Sequence, residues 1–304
     1  MTQVSISPRA WALLVLLALI WGSSFLATTL LVEHLAPLHV VTHRVLWAAA
    51  FLWIYAAVRR LPLPRDLLTW GALLTMGALN NVVPFTLQAY AQTTIESGLA
   101  GILNATAAVF APLVAALVFA DERLTGNRAL GVSLGFIGVA VVIGFDALRG
   151  LDLRSLAQLA MIGSTLSYAV SSAFARRYLG QLRPEVAALG MLTGSALIML
   201  PLSWKAVGPL PFALPAATLA GLAFYGLVIT AGAYLLYYRI IRLAGAGNVM
   251  LVTLLIVPIA VTLGVLVRAE SLPPSAYAGF GLIALGLVLI DGRLLRRRPR
   301  ADRV

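Results

Sequence analysis

The sequence predicts an all-α membrane protein with ten transmembrane helices, arranged as two inverted five-helix repeats around a central cavity. Three observations predict it: an apolar excess, basic residues that sort to alternate connections, and landmarks that recur in the two halves. Of 304 residues, 61% are hydrophobic and 11% charged, and mean hydropathy is +0.96, whereas a soluble domain spends about 25% of its residues on charge. Zero cysteines exclude a disulfide framework and thiolate metal sites but fix no compartment. The net charge of +11 points to loops beside anionic lipid and away from nucleic acid as a partner.

A membrane-crossing helix needs about 20 mostly apolar residues. That window places spans near 11–31, 39–58, 69–90, 98–119, 128–145, 155–175, 184–202, 215–237, 245–267 and 275–291. The opening run carries no small-x-small cleavage site, so it is expected to remain as the first span and not to act as a signal peptide. The runs are continuous and do not alternate every second residue, which argues against a β-barrel.

Basic residues give an independent check on this count. With the N-terminus inside, Arg9, Arg59, Arg60, Arg65, Arg123, Arg128, Arg176, Arg177, Arg183, Arg239, Arg242 and six tail arginines from Arg293 to Arg303 fall on inner segments. Arg149, Arg154, Lys205 and Arg268 fall outside, and Arg44 lies within the second span. Seventeen against four fits an inner (plasma) membrane protein with both termini cytoplasmic.

Laid over the ninth and tenth spans, the fourth and fifth bring Pro112 onto Pro258 and Ala100 onto Ala246. With two extra residues in the later loop, Glu122 falls on Glu270, Gly131 on Gly279 and Gly138 on Gly286. The expected units are residues 1–149 and 150–304, the second with a basic cytoplasmic tail. A five-span unit crosses an odd number of times, so its second copy enters the membrane from the opposite side. Such inverted repeats are a common plan of secondary transporters, with the site at the repeat interface.

The run Trp21 to Phe25, Arg44 in the second span, Pro112 ahead of the Asp121-Glu122 turn, and the helix of Gly131 and Gly138 resemble the EamA-type drug/metabolite transporter superfamily. Among its members the chain looks most like the YddG-type exporters of amino acids. The resemblance implies a ten-helix basket with a central cavity and outward transport. The sixth span lacks the tryptophan-glycine pair of the first, so the site is expected to be asymmetric.

Candidate functional residues follow from polarity at membrane depth. In the third span Gly77, Asn81, Pro84 and Gln88 recur at helical spacing, and in the sixth Ser164, Ser167, Tyr168 and Ser171 do the same. Asn104, Tyr234 and Tyr238, with Tyr237 beside them, join this cavity set, and so do Trp21 and Ser24 of the first span. Helix–helix hydrogen bonding is the structural alternative for each. Trp11, Trp70, Trp204 and Tyr277 stand at span ends as an interfacial belt. Pro84, Pro112 and Pro258 are expected to kink helices that gate the cavity or bend them statically.

No span carries an Asp or Glu near its centre. Proton coupling is left to His43, which titrates near neutrality, or to the substrate's own charge, and facilitated exchange stands beside active coupling. His43 is expected either to face the cavity or to reach the interface. Arg44 is expected to be a structural clamp on helix-terminal carbonyls, with a cavity-facing role as the alternative. His39 and His43 lie four apart, yet no third metal ligand is evident, and with no nucleophile–base pair at depth an enzyme is not expected. The expected function is export of amino acids, aromatic or broad in range, and similar small metabolites by alternating access. Exporters of drugs, organic cations or sugars, and a channel or scramblase, are the alternatives. A small-molecule substrate and the bilayer are the expected partners, with no cofactor, no metal and no obligate protein partner.

Overall fold

The structure, a computed structural model, describes residues 7–120, 126–143, 153–244, 249 and 251–291. Among the described residues every regular element is helical. Helices α1 (Pro8–Val32) and α2 (Pro37–Arg59) each open on a proline, where the missing N–H is not needed and φ is preset for the helix. The Ser7 side chain accepts from the Ala10 N–H at 3.3 Å to cap α1.

Helix α3 starts behind Asp66, whose carboxylate accepts from the Thr69 N–H at 2.7 Å. It runs Leu67–Gly77, widens into a π-helical stretch Ala78–Val82 and resumes as Val83–Ala91. Pro84 accounts for the widening. Its ring has no N–H and crowds the carbonyl four residues back, so the ladder slips and the Val83 N–H bonds to the Ala78 carbonyl, five back.

Helix α4 comprises Ser97–Asn104 and Ala107–Val118. Tight bonds from Ala105 to the Ile102 carbonyl and from Thr106 to the Leu103 carbonyl, both 3.1 Å, bridge the break. Then come α5 (Gly126–Ile143), α6 (Leu153–Tyr178) and α7 (Pro184–Val207). Helix α8 repeats the design of α3, with Ala216–Phe224, a π-helical stretch Tyr225–Gly232, and Ala233–Ala244. Helices α9 (Leu251–Arg268) and α10 (Pro274–Asp291) follow.

By length and composition Pro8–Val32, Pro37–Arg59, Ser97–Val118, Pro184–Val207 and Ala216–Ala244 can each cross a membrane, and Ala129–Ile143, Val252–Arg268 and Pro274–Ile290 are shorter apolar helices. Large apolar side chains such as Ile54, Val58, Leu117, Leu197 and Leu266 face outward. A patch that broad does not persist against water, so lipid covers it and the chain is a membrane protein.

Helix α1 packs on α9 and α6 packs on α4, while α2 packs on the π stretch of α8 and α7 on α3 with its π stretch. Helices α2 and α7 pack on each other, and α5 lies along α10. At the α5–α10 seam, a methyl group on Gly131 would stand 2.5 Å from the Gly286 carbonyl oxygen, and one on Gly138 would stand 2.7 Å from that of Gly279. Residues aligned by sequence, Gly131 with Gly279 and Gly138 with Gly286, therefore meet crosswise. Close approach of this kind is how small residues hold membrane helices together when lipid is as apolar as leucine.

Most expected spans coincide with a helix to within about five residues, but α8 runs on to Ala244, past the expected end at 237, and α9 begins at Leu251 where the expected span begins at 245, with 245–248 and 250 outside the described residues. The fourth span is broken at Ala105 and Thr106, and the third and eighth carry π stretches that hydropathy does not register. Trp11, Trp204 and Tyr277 are exposed at helix ends, and the Trp70 indole donates to the Pro64 carbonyl at 3.0 Å. Asp121, Glu122, Arg123, Arg149, Ala246 and the six tail arginines lie outside the described residues.

Candidate functional site

The end of the bundle where α1 begins is here the proximal end, and the other the distal end. Between them α1, α2, α3, α4, α6, α7 and α8 enclose a core of neutral polar and aromatic side chains.

Tyr234 of α8 organises its proximal half. Its hydroxyl accepts from the Asn80 amide at 3.0 Å and donates to Asn81 Oδ1 at 3.1 Å. Asn81 donates in turn to Ser195 Oγ on α7 at 2.9 Å, while Asn80 Oδ1 accepts from Ser171 of α6 at 2.9 Å. Adjacent residues on α3 thus reach α6 and α7 and share one tyrosine, in a helix widened at that point. Trp21 lies against this group with its ring centroid 6.5 Å from that of Tyr234 and 5.5 Å from that of Tyr237. Tyr238 stacks 6.5 Å from Tyr234.

Toward the distal end Gln88 is the hub. Its amide nitrogen lies 3.2 Å from the Tyr168 hydroxyl, 3.3 Å from Ser164 Oγ and 3.5 Å from Asn104 Oδ1, joining α3, α6 and α4. Ser167 donates to the Leu79 carbonyl at 2.6 Å. All four polar positions of α6 therefore turn toward α3. On α3 the expected single face divides: Gly77 and Asn81 face α7, whereas Gln88 faces α6 and α4. The intervening π stretch supplies the rotation.

Arg44 sits beside Gln88's neighbour Phe85, and its environment differs from the clamp expected of it. The side chain is buried and meets hydroxyls, not helix-terminal carbonyls. Nη1 donates to the Tyr225 hydroxyl at 2.8 Å and Nε to Thr230 Oγ1 at 2.9 Å. The guanidinium carbon lies 3.5 Å from the Phe85 ring centroid and 4.4 Å from that of Tyr225. Tyr225 and Thr230, five apart, would point about 140° apart on an ordinary α-helix. The π stretch of α8 brings both onto Arg44, and Gly226 gives room beside Trp47 and the Arg44 backbone.

The remaining candidates lie apart from this core. His43 Nε2 bonds to the Pro211 carbonyl at 2.9 Å with Phe212 against the ring, and His39 Nε2 lies 3.4 Å from the Gly208 carbonyl. With a carbonyl as its partner, Nε2 of His43 carries the proton, which leaves Nδ1 an acceptor with no partner among the described residues. Both histidines fasten the α7–α8 connection over the distal end. Ser24 donates back to the Trp21 carbonyl at 2.6 Å. Pro84 shapes the π stretch under Asn80 and Asn81, Pro112 lies beyond the break in α4, and α9 runs unbroken through Pro258.

Ion pairs pin the distal end. Arg268 pairs with Glu33, joining α9 to α1, and Arg154 meets Glu96 through two bonds, at 2.8 and 3.2 Å. Glu270 caps α4, accepting from the N–H groups of Ser97 and Gly98, both at 2.9 Å, and from Ser97 Oγ at 2.8 Å. At the proximal end a pocket of about 560 Å³ opens between Tyr55, Glu185 and the last turns of α8, including Arg239 and Arg242. Arg242 pairs there with Glu185 at 2.9 Å. Sequence reasoning missed Asn80, Phe85, Tyr225, Thr230 and Ser195. Asn80 stands beside Asn81 in the sequence, and helical spacing does not select both because adjacent residues share no face of a regular α-helix.

A helical membrane bundle with a buried polar core fits the class of solute transporters. The EamA-like transporter family matches residues 9–144 and again 155–291, and the chain belongs to that family, within the drug/metabolite transporter superfamily. A probable terminal-alkyne amino-acid exporter of Streptantibioticus cattleyicolor is 30% identical over 98% of both chains. The inner membrane transporter YedA of Escherichia coli K12 is 26% identical over 90% of this chain and 88% of its own. A transporter of Archaeoglobus fulgidus is 23% identical over 93% of this chain and 98% of its own. A solved crystal structure at 19% identity shares the fold, with TM-score 0.67 over 97% of this chain and 100% of the other.

Proposed function

We propose that the chain exports amino acids and similar small metabolites by alternating access. The observation that carries this reading is the Gln88 hub, where amide and hydroxyl groups from α3, α4 and α6 converge at membrane depth on uncharged partners. Such groups bind the amine and carboxylate of a zwitterion without fixing a net charge, and Trp21, Tyr234, Tyr237 and Tyr238 offer a surface for an apolar side chain. The amino-acid exporter among the relatives supports the same substrate class.

The architecture behind this reading is ten spans in two inverted repeats, residues 1–149 and 150–304. The twofold family match, the paired helix contacts, the crosswise glycines and the π stretches in the third helix of each half all support it. Sorting of arginines supports a cytoplasmic position for the proximal end and for both termini. Pockets indent both ends, about 560 Å³ at the proximal one and about 370 Å³ between Gln92, Glu33, Arg268 and Glu270 at the distal one, and an exporter loads from the cytoplasmic side.

Proteoliposomes loaded with L-phenylalanine or another amino acid should take up labelled amino acid by saturable counterflow. Absence of counterflow across a full amino-acid panel overturns the substrate class. Saturable movement of organic cations or sugars instead marks those exporters, and flux without saturation marks a channel or scramblase.

A further inference from the structure

The described carboxylates, Glu33, Asp66, Glu96, Glu185, Glu270 and Asp291, all stand at helix ends or in connections. The cations of Arg154, Arg242 and Arg268 each meet one of them. Arg44 does not. Its side chain is more than nine-tenths buried, about two turns into α2, and its partners are two hydroxyls and two aromatic faces. An ionisable group at membrane depth is expensive, and it ordinarily pairs with an opposite charge or lines a substrate path.

The hydrogen bonds around it run in one sense. Tyr225 accepts from Arg44, so its own proton goes to Thr28 Oγ1, and Thr28 donates onward to the Ser24 carbonyl at 2.8 Å. Thr230 accepts from Arg44 and donates to the Tyr225 carbonyl at 2.9 Å. These bonds orient the guanidinium and leave its positive charge unneutralised. Of its five N–H donors, the described residues engage one on Nε and one on Nη1, which leaves three for an incoming group. Phe85, whose ring centroid lies 3.5 Å from the guanidinium carbon, stands one turn before Gln88 on α3.

We propose that Arg44 is the carboxylate-recognising residue of the transport site, and that the substrates are carboxylate-bearing molecules selected against their amides and against simple amines. This inference rests on the amino-acid reading above and narrows it: the charge that the protein withholds in its own core is supplied by the cargo. A planar guanidinium suits two parallel bonds to a carboxylate in a way an ammonium does not.

The test uses purified full-length protein and four probes: L-phenylalanine, L-phenylalaninamide, phenylacetate and phenethylamine. Competition in counterflow should favour the acid over its amide by tenfold or more, and phenylacetate should raise the melting temperature where phenethylamine does not. Arg44→Gln should lose that preference to within about threefold, and Arg44→Lys should keep it with affinity reduced about tenfold. Equal competition by acid and amide, a preference that survives Arg44→Gln, or an Arg44→Lys variant within twofold of wild type each overturn the proposal. Should Arg44→Gln fail to fold, the wild-type preferences and the lysine variant still decide it. If no amino acid moves but phenylacetate stabilises wild type and not the glutamine variant, the amino-acid reading fails and the carboxylate site stands. If amino acids move without regard to their carboxylate, the reverse holds.

Discussion

Tyr234 donates to Asn81 Oδ1 at 3.1 Å while accepting from Asn80 at 3.0 Å, so one hydroxyl of α8 is shared by two adjacent amides of α3. The arrangement needs the π stretch Ala78–Val82, since adjacent positions on a regular helix diverge by about 100°. Removing only that oxygen separates function from folding. Tyr234→Phe should cost about 1 kcal/mol of stability, the usual size of an interhelical bond in a membrane, while transport falls at least tenfold. Melting of the purified variant and initial counterflow rates measure the two effects, and a variant with wild-type transport would make the contact purely structural.

The α5–α10 seam makes a prediction about sign. Exchanging glycine for alanine inside a helix normally gains about 1 kcal/mol. Gly281→Ala, where the added methyl meets nothing within 4 Å, should therefore hold or raise the melting temperature. Gly131→Ala drives its methyl into the Gly286 carbonyl and Gly138→Ala into that of Gly279. Backbone cannot step aside as a side chain can, so both should lose about 1–3 kcal/mol. Melting curves of the three variants in one detergent test the contrast.

Much of this fold is legible in the sequence because its determinants are extensive. Apolar length and arginine sorting draw on dozens of positions, so no single residue can displace a span. The α6 face of Ser164, Ser167, Tyr168 and Ser171 is legible for the same reason, as α6 is regular and its period holds. The α3 face is not, because Pro84 shifts the register by one residue and hydropathy carries no trace of that shift. Arg44 is visible as an oddity in the second span, but its meaning depends on Tyr225 and Thr230, some 180 residues away and brought together by a second π stretch. His43 looks equivalent to Arg44 in sequence, yet one residue of rotation turns it to the α7–α8 connection.

Asp66 supplies the pH-dependent prediction. The Thr69 N–H and hydroxyl hold its carboxyl below the ordinary aspartate range. A carboxyl depressed in the folded state stabilises when ionised in both states, and that contribution is lost as pH falls through its folded value. Wild type should lose stability below about pH 4, near the unperturbed value, relative to Asp66→Asn, whose amide oxygen still accepts from Thr69 and does not titrate. Melting temperatures from pH 7 to pH 3 should converge between the two proteins as pH falls. Parallel curves would mean that the cap contributes no pH dependence.

Glu270 and Glu96 are both carboxylates at the distal end, and their surroundings predict different consequences. Glu96 meets Arg154 where the two side chains are 28% and 40% exposed, and exposed pairs contribute about 0–1 kcal/mol. Glu270 accepts two N–H groups and a hydroxyl at the first turn of α4, where the helix dipole favours a negative charge and no other side chain caps the helix. Glu270→Gln should therefore cost about 2 kcal/mol, within the range of hydrogen bonds to charged groups, and Glu96→Gln less than 1 kcal/mol. Salt separates them further, because raising ionic strength screens the exposed pair and leaves direct backbone bonds largely intact. Denaturation of both variants at low and high salt would give a salt-insensitive loss for Glu270→Gln. Equal losses, or a Glu270→Gln loss that vanishes in salt, would show that the α9–α10 connection is held by general electrostatics and not by its grip on α4.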